Sequence, residues 1–343
     1  WTKAPANPVL GQVPPEAGQT KDFRDPFVWQ EGATWYMVVG SRIQDVGGAV
    51  FLYRSTDLHH WDYLHPLLVG AAAVDGVIWE CPNFFPLGDQ WVLIISSHLG
   101  NATGTVLYFV GHYEQQQFTP TARGVLDHGR LYAPLTFVDD AQRRLLFGWL
   151  REARSNEDIT AAGWAGVQSI PRRLWLDAQQ RLCMAPVPEL ERLRGHRHSL
   201  PAQPLDGLTP LPVEGLALDV VASFDVDTDG QAGLCLAGTL DGSAYTAIQY
   251  DAATQTLAVE RVSPQGRQVV MSAAHPLAAA EPLALRILLD GSVLEIIAND
   301  RTSLTDRVYV AGAECCRAWL SGARARLLHL HAWEMPSIWQ WSQ

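Results

Sequence analysis

Pro26-Phe-Val-Trp-Gln-Glu-Gly-Ala-Thr-Trp35-Tyr-Met-Val-Val-Gly40 runs from a proline through a short apolar strand and a polar turn into a strong β run. The same order returns in Pro82-Asn-Phe-Phe-Pro-Leu-Gly-Asp-Gln-Trp91-Val-Leu-Ile-Ile-Ser96. It returns again in Pro134-Leu-Thr-Phe-Val-Asp-Asp-Ala-Gln-Arg143-Arg-Leu-Leu-Phe-Gly148-Trp149. Self-similarity at a regular interval marks a repeat architecture. The rest of each unit repeats too. Ala49-Val-Phe-Leu-Tyr53 and Trp61-Asp-Tyr-Leu64 follow Gly40, and Thr105-Val-Leu-Tyr-Phe-Val110 and Phe118 follow Ser97. About four strands per unit predicts an all-β propeller blade. The competing reading is a β-sandwich in which short β runs resemble one another by chance.

Trp61 opens a last strand that leads to Pro66-Leu-Leu68, and Trp1 opens a similar stretch that leads to Pro8-Val-Leu10. By this match residue 1 is expected to stand in the last strand of an earlier blade. Propellers need at least about four blades to close. The Pro-headed repeat supplies three, so a further N-terminal segment is expected. After Leu200 the repeat stops. Alternating runs take over: Leu216-Ala-Leu-Asp-Val-Val221, Ala244-Tyr-Thr-Ala-Ile-Gln-Tyr250, Leu283-Ala-Leu-Arg-Ile-Leu-Leu289 and Leu294-Glu-Ile-Ile-Ala298. Turn pairs at Asp229-Gly230, Asp241-Gly242 and Asp290-Gly291 separate them, which predicts a β-sandwich. The expected domains are a partial propeller over 1–193 and a sandwich over 199–343, with a helical turn at Glu189-Leu-Glu-Arg-Leu-Arg194 before the boundary.

The bulk numbers fit this. With 343 residues, 48% hydrophobic and 18% charged, the chain can bury large cores and is not globally disordered. A net charge of −11 argues against nucleic acid or an anionic membrane as partner. It suits a neutral small-molecule or oligosaccharide substrate. The five cysteines, Cys81, Cys183, Cys235, Cys315 and Cys316, have no disulfide or zinc spacing, and such free thiols lean towards a cytoplasmic setting. The pairs His196/His198 and His329/His331 lack a third ligand, so no metal and no cofactor is expected. Asn101-Ala-Thr103 is a glycosylation sequon only in a secreted eukaryotic protein. Trp333, Trp339 and Trp341 read as sandwich packing.

Two acids stand at matched places in successive repeats: Asp25 directly before Pro26, and Glu80 two before Pro82. If the prolines head the innermost strands, both carboxylates point at the central axis. Paired carboxylates at one hollow are the usual equipment for cleaving a glycosidic bond. The bland alternatives are a turn residue for Asp25 and a solvated strand residue for Glu80. Burial of Glu80 beside Trp79 would favour the protonated acid at neutral pH. Cys81 could tune that acid, and Tyr132 and Trp149 could wall the sugar pocket.

Phe23-Arg-Asp-Pro26 and Trp79-Glu-Cys-Pro82 resemble the two internal signature motifs of glycoside hydrolase family 32. Trp1-Thr-Lys-Ala-Pro-Ala-Asn-Pro-Val-Leu10, Leu131-Tyr-Ala-Pro134, Phe147-Gly-Trp149, Gly163-Trp-Ala-Gly-Val-Gln-Ser-Ile-Pro-Arg172 and the Asp290–Asn299 hairpin are similar to further stretches of that family. The resemblance implies a five-bladed propeller followed by a β-sandwich. It implies retaining release of fructose from sucrose or fructans, as in invertases, levanases and inulinases. Glu80 would be the general acid/base, and Asp25 would bind fructose hydroxyls and stabilise the transition state. Arg24 would hold the sugar, with Trp79, Cys81, Tyr132 and Trp149 around it.

The family's nucleophile is an Asp in a Trp-Met-Asn-Asp-Pro-Asn type of motif, which these 343 residues do not contain. It is expected upstream of Trp1, and little hydrolysis is expected of residues 1–343 alone. Asn83 stands where the family often has Asp, which implies an altered hydrogen bond behind the site. A non-catalytic fructan-binding protein and a fructosyltransferase are the alternatives.

Overall fold

The computed structural model describes residues 2–100, 102–309 and 317–338. Trp1, Asn101, Cys315, Cys316, Trp339 and Trp341 lie outside the described residues. The chain divides into two compact units. One comprises Trp1–Leu126, Leu131–Trp149 and Arg173–Cys183, the other Asp127–Arg130, Leu150–Arg172 and Met184–Gln343.

The first unit carries three antiparallel blades. Blade 1 is a meander of β1 (Arg24–Glu31), β2 (Thr34–Ile43), β3 (Gly47–Ser55) and β4 (Asp62–Val69). Blade 2 repeats it with β5 (Ile78–Leu87), β6 (Gln90–Leu99), β7 (Ala102–Glu114) and β8 (Gln117–Asp127). Blade 3 pairs β9 (Leu131–Val138) with β10 (Arg144–Leu150), then Arg172–Leu176 and Leu182–Pro186. The inner strands read as unbroken apolar runs, such as Met37-Val-Val39 and Leu93-Ile-Ile95, and these are buried. A strand covered on both faces needs no polar alternation. Aromatic rings fill the space where the first two blades meet. Trp29 stacks on Tyr36 at 5.4 Å and meets Phe84 at 5.4 Å, and Phe84 stacks on Trp91 at 4.7 Å.

Close approach of the blades depends on absent side chains. Trp79 is fully buried, and its Nε1 donates to the carbonyl of Asp75 at 2.8 Å. Its ring lies against Gly48 and Gly70, where a Cβ would come within 2.2 Å and 2.4 Å of the indole. A Cβ on Gly40 would sit 2.5 Å from the Trp79 carbonyl oxygen. Between blades 2 and 3 the bridge is Asn83, also fully buried. Its Nδ2 donates to the carbonyls of Cys81 and Pro134, both at 2.9 Å, and its Oδ1 accepts from the Thr136 amide at 2.8 Å. A carboxylate could accept the third bond but donate neither of the others.

The second unit is a single large antiparallel sheet with the bends of a sandwich. Its spine is Ala217–Gly238, paired with Arg317–Glu334, Leu283–Asp290 and Tyr245–Asp251. Apolar residues of these strands, among them Val220, Phe224, Leu234, Ile248, Ile287, Ile296, Leu320 and Leu330, form one core. Trp333 lies on the last of them, with the Arg194 guanidinium 3.7 Å from its ring centre. The helical turn near 190 is a 3-10 helix, Pro188–Leu193. Asp229-Gly230 is not a turn. The strand runs through it, with a register shift between Val226 and Gln231, so a bulge absorbs the Asp-Gly pair.

One buried charge cluster ties distant parts of this unit together. Arg172 is fully buried. Its Nη2 donates to Glu295 Oε2 at 2.6 Å and to Thr305 Oγ1 at 2.9 Å, and its Nη1 to Ser303 Oγ at 2.9 Å. Ser303 and Thr305 pass hydrogen bonds on to Asp127, at 2.6 Å and 2.5 Å. Burial pushes the Glu295 carboxyl up, against the pull of Arg172.

Two substitutions test these constraints by urea unfolding. Gly48→Ala should cost about 1–3 kcal/mol through collision with Trp79, while Gly11→Ala, which faces open space, should stay within about 0.5 kcal/mol. Arg172→Met should cost about 3–5 kcal/mol, because it removes the guanidinium that pairs with the buried Glu295 carboxylate. A loss under about 1 kcal/mol would show that the cluster does not hold the unit together.

Candidate active site

The head of each blade carries the same backbone distortion. Asp25, Cys81 and Ala133 each precede a proline, and each has a positive φ, of 60°, 47° and 47°. A residue before proline is already barred from the right-handed helical region, and positive φ costs a non-glycine residue of order 1 kcal/mol. The strain goes with a bulge, since the ladder slips between Arg24 and Phe27 in blade 1 and between Glu80 and Asn83 in blade 2. Bulges re-aim side chains. Here the residues just before the distortion are Arg24, Glu80 and Tyr132, and all three meet.

Glu80 is the centre of that meeting. Its Oε1 accepts from Arg24 Nε at 2.8 Å. Its Oε2 accepts from the Tyr132 hydroxyl at 2.8 Å and contacts His98 Nε2 at 2.5 Å. Arg24 is held on its far side by Asp22, at 3.1 Å, and Asp22 also pairs with Arg42 at 3.2 Å. Asp25 lies one step along the same seam: its Oδ2 accepts from the Cys81 amide at 3.0 Å and from the Cys81 thiol at 3.5 Å. Arg24–Glu80 and Asp25–Cys81 are thus neighbouring links across the first two blades, and they bring the two acids to one place.

The electrostatics correct one expectation. Burial raises the Glu80 pKa, but Arg24, Tyr132 and His98 together outweigh it, and the carboxyl is held below its ordinary value. Trp79 adds nothing, because its ring turns into the blade core and away from the acid. For the same reason Trp79 cannot touch a sugar. Tyr132 is also no pocket wall: it is 3% exposed, and its hydroxyl serves Glu80 and the Ser97 carbonyl. Cys81 sits on Asp25, and burial pushes its thiol up to about 12. Trp149 is 48% exposed on β10 and takes no part in the hydrogen bonds around Glu80. Among the described residues no His/Cys/Asp/Glu group is arranged to hold a metal ion.

His98 is the residue that reading the sequence passed over. The repeat did contain a signal for it. In the ladders Gly40 faces Arg24 and Ser96 faces Glu80, so His98 takes the place in β6 that Arg42 takes in β2. Both reach back to an acid near the head of their own blade.

The model of the glycosyl hydrolases family 32 N-terminal domain matches residues 1–186, and that of the family 32 C terminal matches residues 189–334. The chain belongs to glycosyl hydrolase family 32. This family 32 chain is 31% identical over 316 residues to the sucrose-6-phosphate hydrolase of Zymomonas mobilis, covering 85% of the chain and 61% of that protein. It therefore spans about three fifths of that relative's length. Among solved structures it is similar to fructan 1-exohydrolase IIa of Cichorium intybus, with a TM-score of 0.83 and 24% identity over 98% of this chain and 76% of that one. It is also similar to a mutant β-fructofuranosidase of Bombyx mori in complex with sucrose, with a TM-score of 0.78 and 25% identity over 98% and 71%.

Because the folded-state pKa of Glu80 is depressed, its ion pair stabilises the fold in full above the ordinary glutamate pKa of about 4.3. That contribution disappears once the pH has fallen through the lower folded value. Glu80→Gln should therefore be less stable than the parent at neutral pH, with the gap closing in acid. Unfolding midpoints from about pH 3 to 7 check this, and a gap that does not change with pH would contradict it.

Proposed function

We propose that the protein is a glycoside hydrolase that releases fructose from sucrose or a related β-fructofuranoside, with Glu80 as general acid/base. The observation that carries this reading is the meeting of Arg24, Tyr132 and His98 on the Glu80 carboxylate, with the Asp25 carboxylate beside it. Family membership and the sucrose-bound relative support the substrate class.

In this reading the sugar's leaving oxygen takes a proton from Glu80. Approach of another negative group, or loss of a donor, raises the carboxyl pKa from its depressed resting state. Asp25 accepts hydrogen bonds from fructose hydroxyls, which strengthen as positive charge develops on the ring. Arg24 fixes the distance between the two acids. In the second half, Glu80 takes a proton from the attacking water. The covalent step needs a carboxylate nucleophile, and none of these residues is assigned to it. Sucrose 6-phosphate is a second candidate substrate, favoured by the named relatives.

A non-catalytic fructan-binding role is the second reading. It is favoured by the depressed Glu80 pKa, since a firmly ionised carboxylate is a better acceptor than acid.

Fructose release by the purified protein separates the two. Sucrose, sucrose 6-phosphate, inulin and levan are the substrates. Release is expected, with kcat falling at least about 100-fold in Glu80→Gln and in Asp25→Asn. An aryl fructoside, whose leaving group needs little protonation, should lose much less in Glu80→Gln. Binding without release would favour the second reading. Losses under about tenfold at both positions would remove them from catalysis.

A further inference from the structure

We propose that His98 is the positioning residue of Glu80, its Nε2–H holding the carboxyl while Glu80 gives its own proton to the sugar and recovers one from water. This rests on the acid/base reading of Glu80.

The geometry is specific. His98 Nε2 and Glu80 Oε2 are 2.5 Å apart. Two bare lone pairs would repel strongly at that distance, so Nε2 meets the carboxylate as a donor. The groups that face this pair are few. Tyr132 presents its ring edge-on at 6.2 Å and its hydroxyl to the same Oε2. Arg24 reaches the other oxygen, backed by Asp22. The backbone of His98 is pinned as well, because its carbonyl accepts from the Val77 amide at 2.8 Å. The imidazole therefore has a fixed point of departure and a single acidic target.

Of the three donors on Glu80, Arg24 takes Oε1 while Tyr132 and His98 share Oε2, and the shortest contact is the one between Glu80 and His98. Both side chains are 17% exposed, so the pair can exchange protons with water while remaining largely desolvated.

The proton count closes without another reactant. When the glycosidic bond breaks, the carboxyl O–H electron pair stays on Glu80 as the proton moves to the leaving oxygen. The new carboxylate is then stabilised by the His98 N–H. When water attacks, one proton returns to the carboxyl and the pair regains its starting state. By holding Oε2, His98 also fixes the orientation of the carboxyl, which Arg24 and Tyr132 alone restrain less firmly.

Two variants separate positioning from bulk support. His98→Gln keeps an N–H donor without a titrating proton, and His98→Ala keeps neither. In the 343-residue chain, 13C NMR titration of Glu80 is expected to move upward in His98→Ala by about 0.5 pH unit or more, and less in His98→Gln. In turnover assays both variants should shift the basic limb of the kcat/KM profile to higher pH. His98→Ala should lower kcat at least about tenfold with KM little changed. An unmoved Glu80 titration overturns the proposal. So does a His98→Gln enzyme with the parent's pH profile and rate, which would reduce His98 to a replaceable support. The titration needs no turnover. If Glu80→Gln left kcat intact, the acid/base reading would fall by that result alone, while the coupling of His98 to Glu80 would still be decided by NMR.

Discussion

The left-handed residue before each head proline is the constraint on which the site depends. A strand that entered its blade with regular pleating would place successive side chains on opposite faces. With φ at 60° on Asp25 and 47° on Cys81, the strand bulges, and the two residues of each head can both reach across to the next blade. Arg24 and Asp25 then face Glu80 and Cys81 as two parallel links. The third blade repeats the distortion at Ala133, whose amide is taken up by Ser96 Oγ at 3.0 Å. Strain kept three times at equivalent positions points to geometry that the blades retain for a purpose.

Charge balance at Glu80 follows from that geometry. Burial alone would favour the neutral acid, but three donors converge on two oxygens and reverse the sign. Each donor comes from a different strand: Arg24 from β1, His98 from β6 and Tyr132 from β9. The carboxylate is therefore also a structural junction of three blades, and removing it would disturb fold and chemistry together. The buried Arg172 cluster of the second unit works the other way round, with one guanidinium facing two carboxylates. Neither cluster is a surface ion pair, so salt should affect both weakly.

Much of this was legible in the residues. The Pro-headed repeat identified the blades and put Arg24, Asp25 and Glu80 at comparable points, because blade strands are local in sequence and their apolar runs are unmistakable. What stayed hidden depended on direction. Nothing in Trp79-Glu80-Cys81 says that the indole turns into the core; that is decided by Gly48 and Gly70, distant in sequence, which leave room for it. Tyr132 reads as a sugar wall until its hydroxyl, next to the left-handed Ala133, is seen to donate to Glu80. His98 is signalled in the sequence only by its match to Arg42 across the repeat, and its contact with Glu80 needs the β5–β6 register. The helix Asn156–Ala162 went unread although its ends are marked, with Ser155 accepting from the Asp158 amide and Gly163 closing in the left-handed region.

Asn83 sets the tolerance of the whole arrangement. A single amide spans the gap between the second and third blades, donating to the Pro134 carbonyl and accepting from the Thr136 amide, while its other N–H is anchored on Cys81 of its own strand. Such a side chain behaves as a gauge block: if the blades drift apart by even half an ångström, both crossing bonds degrade at once. The Tyr132–Glu80 contact crosses the same gap only a few residues away and inherits that fixed width. In relatives with a carboxylate at this position, the gap must be set by different partners. Exchanging Asn for Asp here is thus a change that the facing carbonyls of Cys81 and Pro134 would have to share.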